Sequence, residues 1–366
     1  MAAESNRSDV ATPRAVLTGT GIAIPPVKVT NSQLASVMET DDDWIQERTG
    51  IVTRYYVEPG TGSAELGAQA AKAALLSAGI GAEEIDYIIL ATMTPDHYFP
   101  GSGTLLQEKL GIGPRPALDI RQQCAGFVYG LQMVDALIKS RIARKVLLVG
   151  ADVHSSLIPF SKASWDLVLG LTQERLSAEE LEWNNRFRHL VVLFGDGAGA
   201  MIFEATFEQN GKGILGSIVC GDGSQKDILF VPGAGSLNRP WVDEEMIRSG
   251  KTVPQMDGRR VFKLAVKMMP EVTRQLLEQC GYGLEDLDLL IMHQANLRIN
   301  EAARKALHLP LGKVHNNISR YGNTTSATLP ICFHEAVQAG KAAAGSLVAF
   351  TALGAGLHWG SVLIRI

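Results

Sequence analysis

Cysteine is scarce in this chain. Four residues, Cys124, Cys220, Cys280 and Cys332, are spread over 366 positions. None forms a C-x-x-C pair, and the density is too low for a disulfide scaffold. The set fits a reducing compartment. Long apolar runs are also missing: none approaches the roughly 20 residues needed to span a bilayer. The opening MAAESNRSDVATP is polar and lacks the apolar stretch of a signal peptide. It reads as a loose tail over residues 1–13, and the expectation is a cytoplasmic protein with no membrane partner. A strong excess of charge of one sign is missing too. The formal net charge is −4, so nothing points to nucleic acid as a partner. What remains is ordinary globular usage, 46% hydrophobic and 20% charged, enough for one large core or two fused ones.

The chain repeats itself. Residues 79–90 read GIGAEEIDYIIL and residues 281–292 read GYGLEDLDLLIM. Gly79 matches Gly281, Gly81 matches Gly283 and Asp86 matches Asp288. Each copy follows a helix-like run and enters an apolar run with the look of a strand buried on both faces. Further apolar stretches follow in each half: PALDI, VLLVGAD and GAGAMIFE in the first, KVHNNIS, SLVAFTAL and GSVLIRI in the second. This predicts an α/β protein of two similar halves, over 14–204 and 205–366. Two excursions break the symmetry. Residues 153–188 contain LSAEELEW, where Ser177 and Glu180 have the spacing of a capping box. Residues 221–256 are rich in Gly and Pro. Long excursions of this kind often form lids or binding walls.

Cys124 stands in RQQCAGFVYG, after the strand candidate PALDI. Phe127, Val128, Leu131, Val134, Leu137 and Ile138 then recur at helical spacing. The thiol therefore sits at a strand-to-helix turn. Unpaired N–H groups there favour an anion, so the expectation is a thiol that ionises readily beside donors for an oxyanion. A buried, inert filler is the competing reading. His293 closes the apolar strand DLLIMH, and ligands collect at the carboxyl ends of strands in open α/β sheets. Asn323 lies in the turn YGNTTSATLP, ahead of a predicted helix. Each alone is an ordinary structural residue. Together Cys124, His293 and Asn323 suggest one convergent site.

At these residues the chain resembles β-ketoacyl-acyl carrier protein synthase III, of the thiolase superfamily. The motifs DDDWIQERTGI, FPGSGTLLQEKLG, DIRQQCAGF, FGDGAGA, GRRVFKLAV, HQANLRI, YGNTTSAT and GAGLHWGSVLIRI carry the likeness in order along nearly the whole chain. The resemblance implies a thiolase-like five-layered α-β-α-β-α fold and a homodimer. It implies decarboxylative Claisen condensation of an acyl-CoA with malonyl-acyl carrier protein or malonyl-CoA, with no metal or other cofactor. Cys124 would carry the acyl group. The backbone N–H groups of Cys124 and Ala355 would form the oxyanion hole. His293, neutral, and Asn323 would donate to the malonyl thioester carbonyl.

By the same resemblance Trp44, Arg48 and Arg188 face the coenzyme A nucleotide, Asn296 the pantetheine arm, and Gly258 and Phe262 the tunnel. Lys263, Arg298 and Lys305 match a patch for the acidic carrier protein. Phe99 reaches into the partner's acyl pocket, and Leu353 leaves room beside the thiol. Several features depart from the family pattern. Arg121, Gln122 and Gln123 precede the cysteine, and Ala355 replaces a glycine. The 153–188 excursion is roughly 25 residues longer than usual for the family, well past ordinary loop lengths. It is expected to reshape acyl or carrier selection. His358 is unexplained. Acyl transfer to an oxygen, nitrogen or sulfur acceptor without decarboxylation is the alternative reaction. A papain-like hydrolase and a non-catalytic acyl-CoA-binding protein are further readings.

Overall fold

The computed structural model describes residues 11–208 and 210–366. The expected tail over 1–13 thus falls largely outside the described residues. Two five-stranded sheets organise the rest. The first contains β1 (Arg14–Ala23), β2 (Tyr87–Ala91), β3 (Ala117–Ile120), β4 (Lys145–Asp152) and β5 (Gly197–Thr206), in the spatial order β1-β5-β4-β2-β3. The second contains β6 (Gly213–Gly221), β7 (Leu289–Met292), β8 (Val314–His315), β9 (Leu347–Gly354) and β10 (His358–Arg365), in the order β6-β10-β9-β7-β8. These are the same permutation. The directions agree as well: the first two pairings are antiparallel and the last two parallel in each sheet.

The repeated sequence does the same work twice. Asp86 accepts the N–H of Lys145 at 2.9 Å, at the start of β4. Asp288 accepts the N–H of Leu347 at 2.7 Å, at the start of β9. Glu84 takes the Gly81 N–H at 3.0 Å, and Asp286 takes that of Gly283 at 2.8 Å. Each carboxylate satisfies backbone donors that begin or lead into a strand.

The helices that position the site are α1 (Asp42–Thr49), α2 (Ser63–Ala78), α3 (Gly126–Lys139), α4 (Ala178–Val191), α5 (Gly258–Gln279), α6 (Leu297–Ala306) and α7 (Thr328–Gln338). Strand alternation sorts them into layers. Ile88 and Leu90 join α2 residues such as Leu66 and Ala70 in one buried cluster. Ile89 and Ala91 face the other way, into a cluster with Phe127 and Leu131 of α3 and Phe333 of α7. Leu289 and Ile291 of the second sheet enter that central cluster too. Leu290 and Met292 pack outward on Met269 of α5 and Ile299 of α6. The order is α2, sheet, α3 with α7, sheet, α5 with α6. This is the five-layered arrangement. Among the described residues no helix is long and apolar enough to cross a membrane.

Two expectations change. KVHNNIS yields only the two-residue strand Val314–His315. Asn317 then spends its N–H on the Gln294 side chain at 3.2 Å, and a short helix starts at Ile318. The 153–188 excursion, expected as a lid or a binding wall, is tied into the core of the first half. α4 starts at the expected Ser177 capping box but runs on to Val191. Phe187, Leu190 and Val191 are buried with Val29, Leu34, Ile45 and Tyr56. The Asn184 side chain donates to the Val37 carbonyl at 3.1 Å. Removing the excursion would expose this cluster, so a folded deletion variant is not expected.

Candidate active site

β3 ends at Ile120, a short 3-10 turn covers Gln123–Ala125, and α3 begins at Gly126. Gln123, just before the thiol, sits at φ 45°, a conformation uncommon outside glycine. The turn thereby presents Cys124 at the head of the central helix. Cys124 is 7% exposed. Burial, and then the nearby Asp152 carboxylate, push its thiol up to about 12. This corrects the expectation of a readily ionised thiol: loss of water outweighs the helix N-terminus.

A cavity of about 140 Å³ opens over the thiol, lined by Cys124, His293 and Asn323 together. Gly258, Phe262, Asn296, Leu353 and Ala355 line it as well, as expected. Residues not singled out from the sequence also contribute, including Leu193, Phe194 and Val261. Leu229 and Met256, both from or beside the Gly/Pro-rich excursion, pair across a two-residue ladder and wall the same cavity.

His293 follows β7 and is buried. Burial holds its imidazole well below the usual range, at about 3, so the ring is neutral. Its Nδ1 lies 2.7 Å from the Thr328 hydroxyl, while its Nε2 has no partner among the described residues. Asn323 is oriented by its own turn. Its Oδ1 accepts the Thr325 N–H at 2.8 Å, which leaves the NH2 group as the donor end.

The loop after β9 completes the site. A Cβ on Gly354 would stand 2.9 Å from the backbone nitrogens of both Cys124 and Ala125, so only glycine allows this approach. The positive φ in the loop falls on Gly356, at 137°. Ala355, which stands where the family pattern has glycine, therefore meets no backbone penalty. His358 gains an explanation. Its ring fills the space beside Gly356, where a Cβ would lie 2.2 Å from its Cδ2, and it packs edge-on to Tyr129 of α3.

The second half carries a counterpart of the nucleophile turn. Thr325–Ala327 is also a 3-10 turn, with Thr325 at φ 49°, and it leads into α7. Ser326 occupies the place that Cys124 holds in the first half. Where Gly354 ends β9, Asp152 ends β4. The fully buried Asp152 carboxylate accepts the Ser326 N–H at 2.9 Å, together with the N–H groups of Met93 at 2.7 Å and Thr94 at 3.1 Å. One turn is filled by a carboxylate; the other is left open by a glycine.

Outside the cavity, the Arg48 guanidinium carbon lies 4.5 Å from the Trp44 ring centroid and that of Arg188 lies 4.8 Å from it. The three residues proposed for the nucleotide thus form one cluster. Asn296 links it to the cavity, because its side chain donates to the Arg48 carbonyl at 2.8 Å. Lys263, Arg298 and Lys305 are exposed on α5 and α6. Arg298 lies over the ring of Phe262 at 5.8 Å. Phe99 does not line the cavity of its own chain and is 80% exposed.

Family models decide the assignment. The model described as 3-oxoacyl-[acyl-carrier-protein (ACP)] synthase III matches residues 118–170 and 161–223, and that of its C-terminal part matches 277–366. The chain belongs to this family. A beta-ketoacyl-[acyl-carrier-protein] synthase III of Roseiflexus castenholzii is 38% identical over 96% of this chain and 98% of its own. The solved 3-oxoacyl-[acyl-carrier-protein] synthase III of Aquifex aeolicus superposes with a TM-score of 0.81 at 36% identity, covering 96% of this chain and 100% of its own. The priming beta-ketosynthase of the R1128 polyketide pathway gives 0.83 at 28% identity, covering 98% of each chain. Both solved structures thus align with nearly the whole chain.

Proposed function

We propose that the chain condenses an acyl-CoA primer with a malonyl thioester, as the first step of fatty-acid synthesis or of a related polyketide pathway. The observation that carries this reading is the shared cavity: Cys124, His293 and Asn323 line one apolar-walled space. In the first half-reaction the Cys124 sulfur attacks the acyl thioester, the thiol proton is lost, and coenzyme A leaves as the thiol. The tetrahedral oxyanion sits against the N–H groups of Cys124 and of the loop at Ala355. In the second, a malonyl thioester enters and releases CO2. The His293 Nε2–H and the Asn323 NH2 donate to its carbonyl oxygen as it becomes an enolate. The enolate carbon attacks the acyl-cysteine, and the cysteine sulfur leaves. No metal or other cofactor enters these steps.

The wider site follows. Trp44, Arg48 and Arg188 take the coenzyme A nucleotide, stacking and pairing with phosphate. Asn296 keeps one amide hydrogen for the pantetheine arm. Lys263, Arg298 and Lys305 receive the acidic carrier protein. Exposed Phe99 and Tyr98, with Trp241 4.4 Å from the Tyr98 ring, form an aromatic patch suited to a second copy of the chain. That copy's Phe99 would reach this acyl pocket. The two halves, over 14–204 and 205–366, act as one unit in the cytoplasm.

The test is intact-protein mass after incubation with a panel of acyl-CoAs. A gain of one acyl group in the wild type, absent in Cys124→Ala, is expected. Adding malonyl-acyl carrier protein or malonyl-CoA should then discharge it with release of CO2. Discharge by an alcohol, amine or thiol without CO2 would replace condensation by simple acyl transfer.

A further inference from the structure

Behind the catalytic cavity lies a second one, and the two share a wall. Phe194 lines both. Its ring stacks face to face on His154, which lines only the second, with centroids 3.7 Å apart and planes 4° apart. The second cavity, of about 20 Å³, has room for one water-sized group. Both excursions build it: Leu157, Ile158 and Phe187 come from 153–188, Val253 and Pro254 from 221–256. They interlock at Gly250, where a Cβ would lie 2.5 Å from the Phe187 ring. His154 is the only polar side chain on this wall. It is 3% exposed, and its Nε2 is buried without a partner among the described residues. A buried polar atom of this kind is normally matched by a hydrogen-bond partner. Water is a poor match here, because a buried water needs two to four polar contacts. The Pro159 carbonyl on the same wall is already taken by the Trp183 indole N–H at 2.7 Å.

We infer that this second cavity is a specificity subsite for the far end of the acyl primer, and that His154 selects a primer ending in a hydroxyl group. The inference rests on the acyl-cysteine step of the reading above. A chain anchored on Cys124 lies in the first cavity, with Phe194 at its border. Carried past the Phe194 ring, its end meets His154 among apolar side chains. Burial keeps that imidazole neutral, at about 3. A carboxylate or an ammonium group would therefore enter unpaired, at a large cost. A hydroxyl both donates and accepts, so it satisfies Nε2 whichever ring nitrogen carries the hydrogen. A terminal methyl group would fill the same space and leave Nε2 unmatched.

The experiment uses straight-chain acyl-CoAs of increasing length, in isosteric pairs that end in either a hydroxyl or a methyl group. Initial rates of acyl loading onto Cys124, read by intact mass, give the preference within each pair. At the length that reaches His154 the wild type should favour the hydroxyl by about 10-fold, as one well-satisfied hydrogen bond allows. His154→Phe keeps an aromatic ring against Phe194 and removes the nitrogen, so it should lose or invert that preference. A wild type that favours the methyl member, or neither, at every length overturns the inference. So does a His154→Phe variant that still favours the hydroxyl. If the variant fails to fold, the wild-type ratio decides alone. Selective loading that malonyl thioesters never discharge would refute the condensation reading and leave the His154 assignment standing. Unselective loading followed by discharge with release of CO2 would do the reverse, and no loading by any pair would refute both.

Discussion

The side-chain amide of Asn296 holds the backbone carbonyl of Arg48 at 2.8 Å, while its Oδ1 caps α6 by accepting the Arg298 N–H at 2.9 Å. One residue thus joins the cavity wall, the Trp44, Arg48 and Arg188 cluster and the start of a helix. Asn296→Asp keeps the cap and loses the bond to Arg48; Asn296→Ala loses both. Both variants should raise KM for acyl-CoA. Only alanine should also lower unfolding free energy, by about 1 kcal/mol. Paired denaturation and steady-state measurements check the split.

Two guanidinium groups share the Trp44 ring. Replacing Arg48 or Arg188 with alanine should raise KM for acyl-CoA by about 10-fold, equivalent to ~1.4 kcal/mol. Acyl-pantetheine, which lacks the nucleotide, should be used equally well by wild type and variants. An equal loss with both substrates would place the arginines elsewhere in function.

Gly354 leaves no room for a methyl group above the Cys124 nitrogen. Gly354→Ala should cut condensation by about 100- to 1,000-fold, as expected when an oxyanion contact is displaced. Acyl loading, read by intact mass, should fall in parallel, because both half-reactions pass an oxyanion at this position.

The Cys124 thiol, pushed up to about 12 by burial, is protonated at neutral pH. Its alkylation by iodoacetamide should rise about tenfold per pH unit between pH 7 and 9, without a plateau. A plateau near neutrality would show that the helix N-terminus overcomes burial after all.

His154 stacks on Phe194, a cavity residue, with ring centroids 3.7 Å apart. Burial lowers its imidazole to about 3. The unfolded chain therefore binds a proton near pH 6.5 that the folded chain refuses until about pH 3. The stability linked to this group is complete above pH 6.5 and falls as pH drops, by up to about 1.4 kcal/mol per unit. His154→Phe should flatten the pH dependence of urea unfolding between pH 6.5 and 4.5. Parallel curves for variant and wild type would contradict the assignment.

Much of this was readable from side-chain pattern. Asp86 and Asp288 could be matched by spacing because each caps the neighbouring strand in the same way. Ser177 and Glu180 announced α4 because a capping box is local. Cys124, His293 and Asn323 could be paired because strand ends converge in α/β folds. What stayed hidden was burial and orientation. The helix end beside Cys124 is visible in the sequence, but the wall that dehydrates it comes from residues over a hundred positions away, such as His293 and Leu353. Thr328 gave no sign either, since its partner nitrogen lies 35 positions earlier. The 153–188 excursion read as a lid or a binding wall because its length was visible, whereas its packing on Ile45 and Tyr56 was not.

The Asp152 carboxylate against the Ser326 N–H has a meaning beyond stability. Ser326 stands in its turn where Cys124 stands in the other half, so an Asp152 oxygen lies against the backbone N–H of Ser326, while at the Cys124 turn the facing strand ends in Gly354. The two halves thus carry matching turns, closed in one by the side chain of Asp152 and kept open in the other by Gly354.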